Sequence, residues 1–567
     1  MIIFAFQYIC TDNDNLKYSM KRFYLFAAVA AILMAAASCS SPEKMAKMAE
    51  SVQIQCNPQV LEVIDGAIDA SVSVTYPKDY FNPKAILEVT PVIVYDGGEA
   101  AMRPFMYQGD KVKDNYRVVS SNGQTVTEQV HFDYVEGMEH CYLELRGRVL
   151  AGKKSIDLPV ARVAEGANTT YMLADRDGRL DFKADNYQDV LSSTAEGQIL
   201  FQVNSSQVRS SELNSDSVRD FQDALNAAAA NDRATITGTE IVAYASPEGS
   251  EDLNNQLSAN RSNAAAQAWN RVARGVDADD PLIRSVGEDW DGFRELVGNS
   301  NIQDKELILR VLSMYSDPAV RESEIRNMSE VFTALKTEIL PILRRARLIA
   351  NVQVQNYTND ELLQMLQDNE EDLDEEALLR VASLVRDAGQ KVDIYNKAIE
   401  RFDSDRARYN LAVVMLGQKR DARAKSLLDA LDEDPDVLNA RGVLALHQDD
   451  IALAESLFRR SGTPAANANM GVVYILTGRY EEAVEALKDT DGCCRNRMLA
   501  YILNDQPDQA VAALSCGSAG AMYLRAVAAA RLGDEAAVRE YLAKAAERDP
   551  AYAERALTDV EFAAYEL

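Results

Sequence analysis

The stretch NMGVVYILTGRYEEAVEAL, residues 469–487, carries a small residue at Gly471, a turn at Thr477-Gly478-Arg479-Tyr480, an alanine at Ala483 and a large apolar residue at Leu487. Apolar residues recur at helical period on both sides of the turn, so the stretch reads as helix, turn, helix. Small residues return in Asn410-Leu411-Ala412, Arg441-Gly442 and Arg525-Ala526, followed about twelve residues later by Ala424, Ala454 and Val538. With degenerate units at Ala382 and Met498, the register points fall at 382, 412, 442, 471, 498 and 526, at intervals of 30, 30, 29, 27 and 28. One hairpin alone would expose an apolar face that only a stacked neighbour covers, which predicts an all-α solenoid over 360–567. The acidic run Asp368 to Glu376 just inside its start reads as a solvated helix connection.

This pattern resembles tetratricopeptide repeats, with Phe458 or Leu487 after the alanine and prolines at Pro435 and Pro550, although the units are shorter than the 34 residues usual there. Small residues let the paired helices approach closely. The resemblance implies a superhelical groove that takes peptide segments of a partner protein. Asn410, Asn469 and Asn496 share one position, two residues before the register point, and Arg380 shares it too. In the family that position faces the concave groove, so the amides would hydrogen-bond a bound backbone and Arg380 would add charge. The alternative is that they are ordinary polar residues on the helix surface.

Upstream, Gln198 to Val203 reads as a strand, and Val218, Phe221 and Leu225 recur at helical spacing. A second strand at Thr235 to Ala243 leads through Ser246-Pro247-Glu248-Gly249 into a helix near Asp252, whose expected buried stripe is Leu253, Leu257, Ala264 and Ala268. The run from Ala243 to Gly249, followed by Asn254-x-x-Leu257-Ser258-x-x-Arg261, resembles the OmpA-like family. Leu282 to Gly287 resembles its third strand, and Leu343-Arg344-Arg345-Ala346 leading into Leu348 to Gln355 resembles its closing strand. A helical insertion at about 288–342 carries Leu307, Ile308, Val311 and Leu312 on one stripe and Val331, Leu335, Ile339 and Ile342 on another.

That resemblance implies a central α/β domain, 193–356, binding the stem peptide of peptidoglycan, with Arg261 gripping a carboxylate. A guanidinium offers such a group a planar fork, and Asn254 and Ser258 share the helical face of Arg261. Ser246 stands where the family usually has aspartate. Glu248 could restore the charge, Tyr244 could stack on ligand, and Arg345 completes the candidate set. The other reading makes these residues structural: amide and hydroxyl satisfy the turn, and the arginine forms a salt bridge.

Residues 51–168 alternate with period two at Ala70, Val72, Val74, Tyr76, at Leu87, Val89, Ile93, Tyr95, at Val130, Phe132, Tyr134 and at Cys141, Leu143, Leu145. Turns at Asp96-Gly97-Gly98, Ser121-Asn122-Gly123 and Glu136-Gly137 separate them, and an antiparallel β-sandwich is expected. Residues 169–192 read as a linker. Cys56 and Cys141 permit a disulfide in an oxidising compartment, with two buried thiols as the alternative. His131 and His140 are not accompanied by residues that complete a metal site.

Met20-Lys21-Arg22 and the apolar run Phe23 to Ala37 form the n- and h-regions of a secretory signal behind an upstream extension, too short to span a bilayer. The run ends in Ala36-Ala37-Ser38-Cys39. That resembles a bacterial lipobox, with Ala36 where the family usually has leucine. Cys39 would then be lipidated, residues 40–50 would be a tether, and the location would be the outer membrane, facing the periplasm. Simple cleavage and secretion is the alternative.

The 567 residues suit several domains, and 47% hydrophobic with 26% charged residues is an ordinary globular composition. A net charge of −29 disfavours nucleic acid as a partner. Three histidines, no nucleophile motif, no phosphate loop and no paired-cysteine motif argue against an enzyme, so no catalytic residue, metal or cofactor is expected. The expectation is a multidomain envelope lipoprotein that binds peptidoglycan and recruits a protein partner. The alternative is an assembly or scaffolding factor for a surface or fimbrial complex without peptidoglycan binding.

Overall fold

The computed structural model describes residues 42–276, 279–490, 495–512 and 517–566, so Cys39, the signal segment, Cys493, Cys494 and Cys516 lie outside the described residues. The chain forms two compact units: Met1–Lys183 with Lys391–Leu567, and Ala184–Gln390.

The first unit opens with a β-rich domain. Ala67–Tyr76 pairs along its whole length with Gln124–Asp133 and along part of it with Gln53–Asn57, and Ile86–Tyr95 pairs with Cys141–Ala151. Alternation puts Ala70, Val72, Val74, Tyr76, Leu87, Ile93, Val130, Phe132, Leu143 and Leu145 into one core. The wholly antiparallel expectation fails at two places: Val60–Ile64 runs parallel to Ala161–Asn168, and Phe105–Gln108 parallel to Arg117–Val118. These pairs are closed by crossovers, which leave no turn signature to read. Cys56 lies opposite Val72 and Cys141 opposite Tyr95. Both are free and buried, and burial pushes the thiols up to about 11 and about 12.

The helical part follows Ala388–Phe402 with hairpins Asp405–Gly417/Asp421–Asp429, Pro435–His447/Ile451–Ser461, Pro464–Leu476/Tyr480–Leu487, Arg495–Leu503/Pro507–Ala512 and Ala519–Leu532/Glu535–Arg548. Ser404, Asp434, Thr463 and Ser518 cap the first helix of their hairpins by accepting a backbone N–H. Inside each hairpin one residue takes a left-handed conformation: Lys419, Asp449, Gly478, Asp505 and Gly533. Each stands seven residues after its register point (412, 442, 471, 498, 526), so the repeat read from small residues is also a repeat of backbone geometry. The small residues are needed where they stand. A Cβ on Gly442 would lie 2.4 Å from the Phe458 ring, and one on Gly471 2.4 Å from Leu487. The β-rich domain and the array share one apolar core, which the Val560–Phe562 turn helps to close.

The second unit holds a four-stranded sheet in the order Val190–Leu200, Arg345–Gln355, Ala234–Ala245, Leu282–Glu288. The last pair is parallel and the others antiparallel. Helices Asp216–Ala230 and Glu251–Val272 pack on it, with Phe221 and Trp269 meeting at 6.0 Å between ring centroids. The insertion is a separate cluster of short helices built on Phe293, Val297, Ile308, Leu312, Leu335 and Leu340, with Leu307 exposed. Helices Asn359–Asp368 and Glu375–Leu384, expected to open the solenoid, belong to this unit.

One expectation, the buried stripe of the second helix, holds only at Ala268. The buried face of Glu251–Val272 is Asn254, Ser258, Arg261, Ala265, Ala268, Trp269 and Val272, while Leu253 is exposed. The rotation is set by Trp269 against Phe221, and steps of three and four residues back from it reach Ala265, Arg261, Ser258 and Asn254.

Candidate functional site

The expected linker is an ordered strap. At Thr170–Leu173 the chain makes a short turn, with the Tyr171 hydroxyl accepting from the Gly66 N–H at 3.2 Å. Asn168 and Thr170 each donate to Glu561 at 2.9 Å, and Arg531 also grips that carboxylate. Burial pushes the Glu561 carboxyl up, but the hydrogen bonds and charge of Arg531, with help from Asn168 and Thr170, outweigh it and leave it below the usual range. Beyond this anchor, residues 174–183 run without helix or strand across the first helices of successive hairpins.

Four asparagines hold that strap by its backbone. Asn496 accepts from the Asp175 N–H at 2.7 Å and donates to the Asp175 carbonyl at 2.8 Å. Asn469 does the same with Arg179, at 2.6 and 3.0 Å, and Asn410 with Lys183, at 2.8 and 2.9 Å. Asn439 adds a second donor to the Arg179 carbonyl at 2.9 Å, and its own oxygen accepts from Asn469. A carboxamide has one donor group and one acceptor, so each side chain mimics a facing strand for one residue. All four are at most 9% exposed, so water reaches these bonds only from the strap side.

Side chains fix the register. Arg495 lies 3.2 Å from Asp175, Arg176 lies 2.5 Å from Asp449, Lys419 pairs with Asp177 and Lys183 pairs with Asp434. The Tyr409 hydroxyl donates to the Asp181 carbonyl at 3.1 Å, and the Lys183 ammonium sits 5.0 Å from that ring's centroid. Gly178 has φ +72, and a Cβ there would lie 2.5 Å from a Val443 methyl. Only glycine fits. Beside the strap is a cavity of about 210 Å³, lined by Ala468, Val472 and Leu487 and by Thr490, Arg495 and Asn496.

Asn410, Asn469 and Asn496 are thus brought together on one backbone, and that backbone is the chain's own. Arg380, expected in the same set, lies in the second unit, where it donates to Asn359 at 3.0 Å and sits 3.8 Å from Asp185. Asn439 was missed because it stands three residues before its register point, while Ala440 holds the aligned position. An asparagine one step away on the same helix was the available signal.

The residues read as a cell-wall site are arranged otherwise. Arg261 is fully buried and donates to the backbone carbonyls of Tyr244 (2.9 Å), Ser205 (3.0 Å) and Gln202 (3.2 Å). Burial, with Arg344 nearby, pushes its guanidinium down to about 10. Asn254 donates to Glu288 at 2.8 Å; Ser258 donates to the Asn255 carbonyl and accepts from the Gly287 N–H. Ser246 donates to Glu248 at 2.8 Å, and Glu248 lies 3.8 Å from Arg344. Arg345 is bound to Asp289, 2.8 Å away, and its guanidinium carbon sits 5.6 Å from the centroid of the Tyr244 ring. The expected gripping arginine is therefore a correction: its guanidinium is fully buried and turned to three backbone carbonyls, out of reach of a ligand carboxylate.

A tetratricopeptide repeat model matches residues 464–489, the hairpin Pro464–Leu476/Tyr480–Leu487. Among solved structures, the chain is similar to a tetratricopeptide repeat protein from Parabacteroides merdae at 15% identity and a TM-score of 0.28, over 35% of this chain and 88% of that one. It is similar to YrrB, described as a TPR protein with an unusual peptide-binding site, at 20% identity and a TM-score of 0.20, over 35% and 99%. Yeast Tom70 aligns at 12% identity and a TM-score of 0.23, over 61% and 78%. No curated protein matches the chain.

Proposed function

We propose that this protein is a non-enzymatic scaffold of the bacterial envelope, anchored through lipidated Cys39 at the outer membrane on the periplasmic side, whose repeat array holds an extended segment of a partner protein during assembly of a surface complex. One observation carries this reading: four asparagine side chains on successive repeats bind an extended backbone, three of them through both the N–H and the carbonyl of one residue. Groups that recognise backbone and leave side chains to a few ion pairs suit a binding protein. The α/β domain keeps an OmpA-like layout in this reading but leaves peptidoglycan out, because the guanidinium that would grip it is spent on internal carbonyls.

Photocrosslinking in cells from a reactive residue at Thr490, on the rim of the groove cavity, tests the proposal. In a chain whose strap is dislodged by Gly178→Val, a discrete protein adduct whose yield falls on adding Asn469→Ala is expected, with the purified chain staying in the supernatant when sacculi are pelleted. Capture indifferent to Asn469→Ala, or co-pelleting with sacculi, would overturn it. Metabolic labelling with a fatty acid, lost in Cys39→Ala, checks the anchor.

A further inference from the structure

The strap is bound almost entirely by polar contacts that a second peptide could reproduce one for one. Its backbone pairs with Asn496, Asn469, Asn439 and Asn410, which read no side chain. Its apolar contribution is small: Leu180 is half-buried and Phe182 is 49% exposed. Net contributions of hydrogen bonds are modest, because water competes for every group once the strap lifts. The cavity of about 210 Å³ beside it offers an apolar floor of Ala468, Val472 and Leu487 under the cation of Arg495. A competing segment could place there a side chain that the strap does not supply.

We infer that residues 175–183 are a displaceable ligand carried in cis, and that the groove's partner is an extended protein segment of the same chemistry: acidic residues at its first and third positions, glycine at its fourth and a basic residue at its ninth. The inference rests on the peptide-binding reading of the groove. The acidic positions answer Arg495 and Lys419, the glycine answers Val443, and the basic position answers Asp434 and the Tyr409 ring. Backbone carbonyls at the first, fifth and ninth positions meet the asparagines, one contact for every four residues along the strap. Because the strap is covalently attached, it acts as a competitor at roughly millimolar effective concentration, and an outside segment binds in proportion to the fraction of molecules whose strap is open.

The test uses a fluorescein-labelled peptide of residues 173–185, LADRDGRLDFKAD, and three forms of the full chain: wild type, a form with 175–183 replaced by a glycine-serine segment of equal length, and Gly178→Val. The single substitution clashes with Val443 and disables the strap without changing the rest of the chain, so it covers the case in which the longer replacement does not fold. Anisotropy titration should show both strap variants binding the peptide at least about tenfold more tightly than wild type. Adding Asn469→Ala to either variant should abolish binding, and a peptide with Asp175, Asp177 and Lys183 reversed in charge should bind more weakly. Equal binding by all three forms would overturn the gate while leaving the groove as a peptide site. Failure of both strap variants to bind would overturn the groove reading itself. Indifference to charge reversal would overturn the stated partner chemistry.

Discussion

Replacing Asn469 by alanine removes three hydrogen bonds: its donations to the Arg179 carbonyl and to the Asn439 oxygen, and its acceptance from the Arg179 N–H. The losses are unequal. The Arg179 carbonyl keeps Asn439 as a donor, whereas the Arg179 N–H loses its acceptor. A half-buried donor left unpaired costs about 1–2 kcal/mol, and the weakened contact to the Arg179 carbonyl a further ~1 kcal/mol, so local opening of the strap should become easier by roughly 2–3 kcal/mol. At 1.4 kcal/mol per factor of ten, that is about a 30- to 150-fold faster exchange of the strap amides by hydrogen–deuterium exchange. Asn439→Ala should move the same amides by tenfold or less, because Asn469 still holds both polar groups of Arg179. Amides of the β-rich core should keep their protection in both variants. Unchanged exchange at Arg179 in Asn469→Ala would refute the view that the asparagines hold the strap in solution.

Gly178→Ala should open the strap by about 1–3 kcal/mol, from a left-handed backbone that alanine disfavours plus the Val443 contact; pairing it with Val443→Ala should restore only the steric part, read by the same exchange. Arg261→Ala takes the side-chain donor from the Tyr244 and Ser205 carbonyls, while the Gln202 carbonyl keeps the Ser205 N–H, and should cost the second unit about 3–5 kcal/mol in denaturant melts, with no change in sedimentation against sacculi. Acidification should loosen the anchor of the strap. The Glu561 carboxyl lies below its unfolded value, so its contribution is complete above about pH 4 and is lost as pH falls through the lower folded value. The melting-temperature gap between wild type and Glu561→Gln should shrink over that window. Asp559 works with the opposite sign: burial raises its carboxyl above the usual range, so Asp559→Asn should be best tolerated at neutral pH.

The repeat array was legible because its period is written twice, in the small residues that let helices touch and in turns seven residues later. The groove asparagines were legible for the same reason, as polar residues at a fixed phase. Their occupant was not, since an extended strap has no periodicity of its own and Asp-Arg-Asp-Gly-Arg reads as any polar connection. In the α/β domain the second, third and closing strands stand close to where they were read, while the first runs Val190–Leu200 and only its end overlaps the Gln198 to Val203 stretch. The helix after the Pro247 turn was rotated wrongly, because hydropathy ranks Leu253 above Asn254. The buried face followed Trp269 instead, and it carried Asn254, Ser258 and Arg261 inward, where the Glu288 carboxylate satisfies the first and backbone groups the other two. A polar stripe on a helix shows that something polar faces it; only geometry says whether that is a ligand or the protein's own main chain.

The same distinction decides how the groove should be understood. At Arg261 one fully buried charge meets three fixed acceptors, at the end of the Ala234–Ala245 strand and in the turn at Gln202 and Ser205, and removing it takes the side-chain donor from all three. At the asparagine ladder the partners belong to a segment that is half exposed, contributes little apolar area and continues into the other compact unit at Ala184. Lifting that segment returns its N–H and carbonyl groups to water, and water also solvates the freed amides. The first arrangement is irreversible without unfolding, while the second can exchange. A neutral amide suits exchange better than a charged pair would, because it binds either polarity of the backbone and incurs a smaller desolvation penalty each time the groove closes.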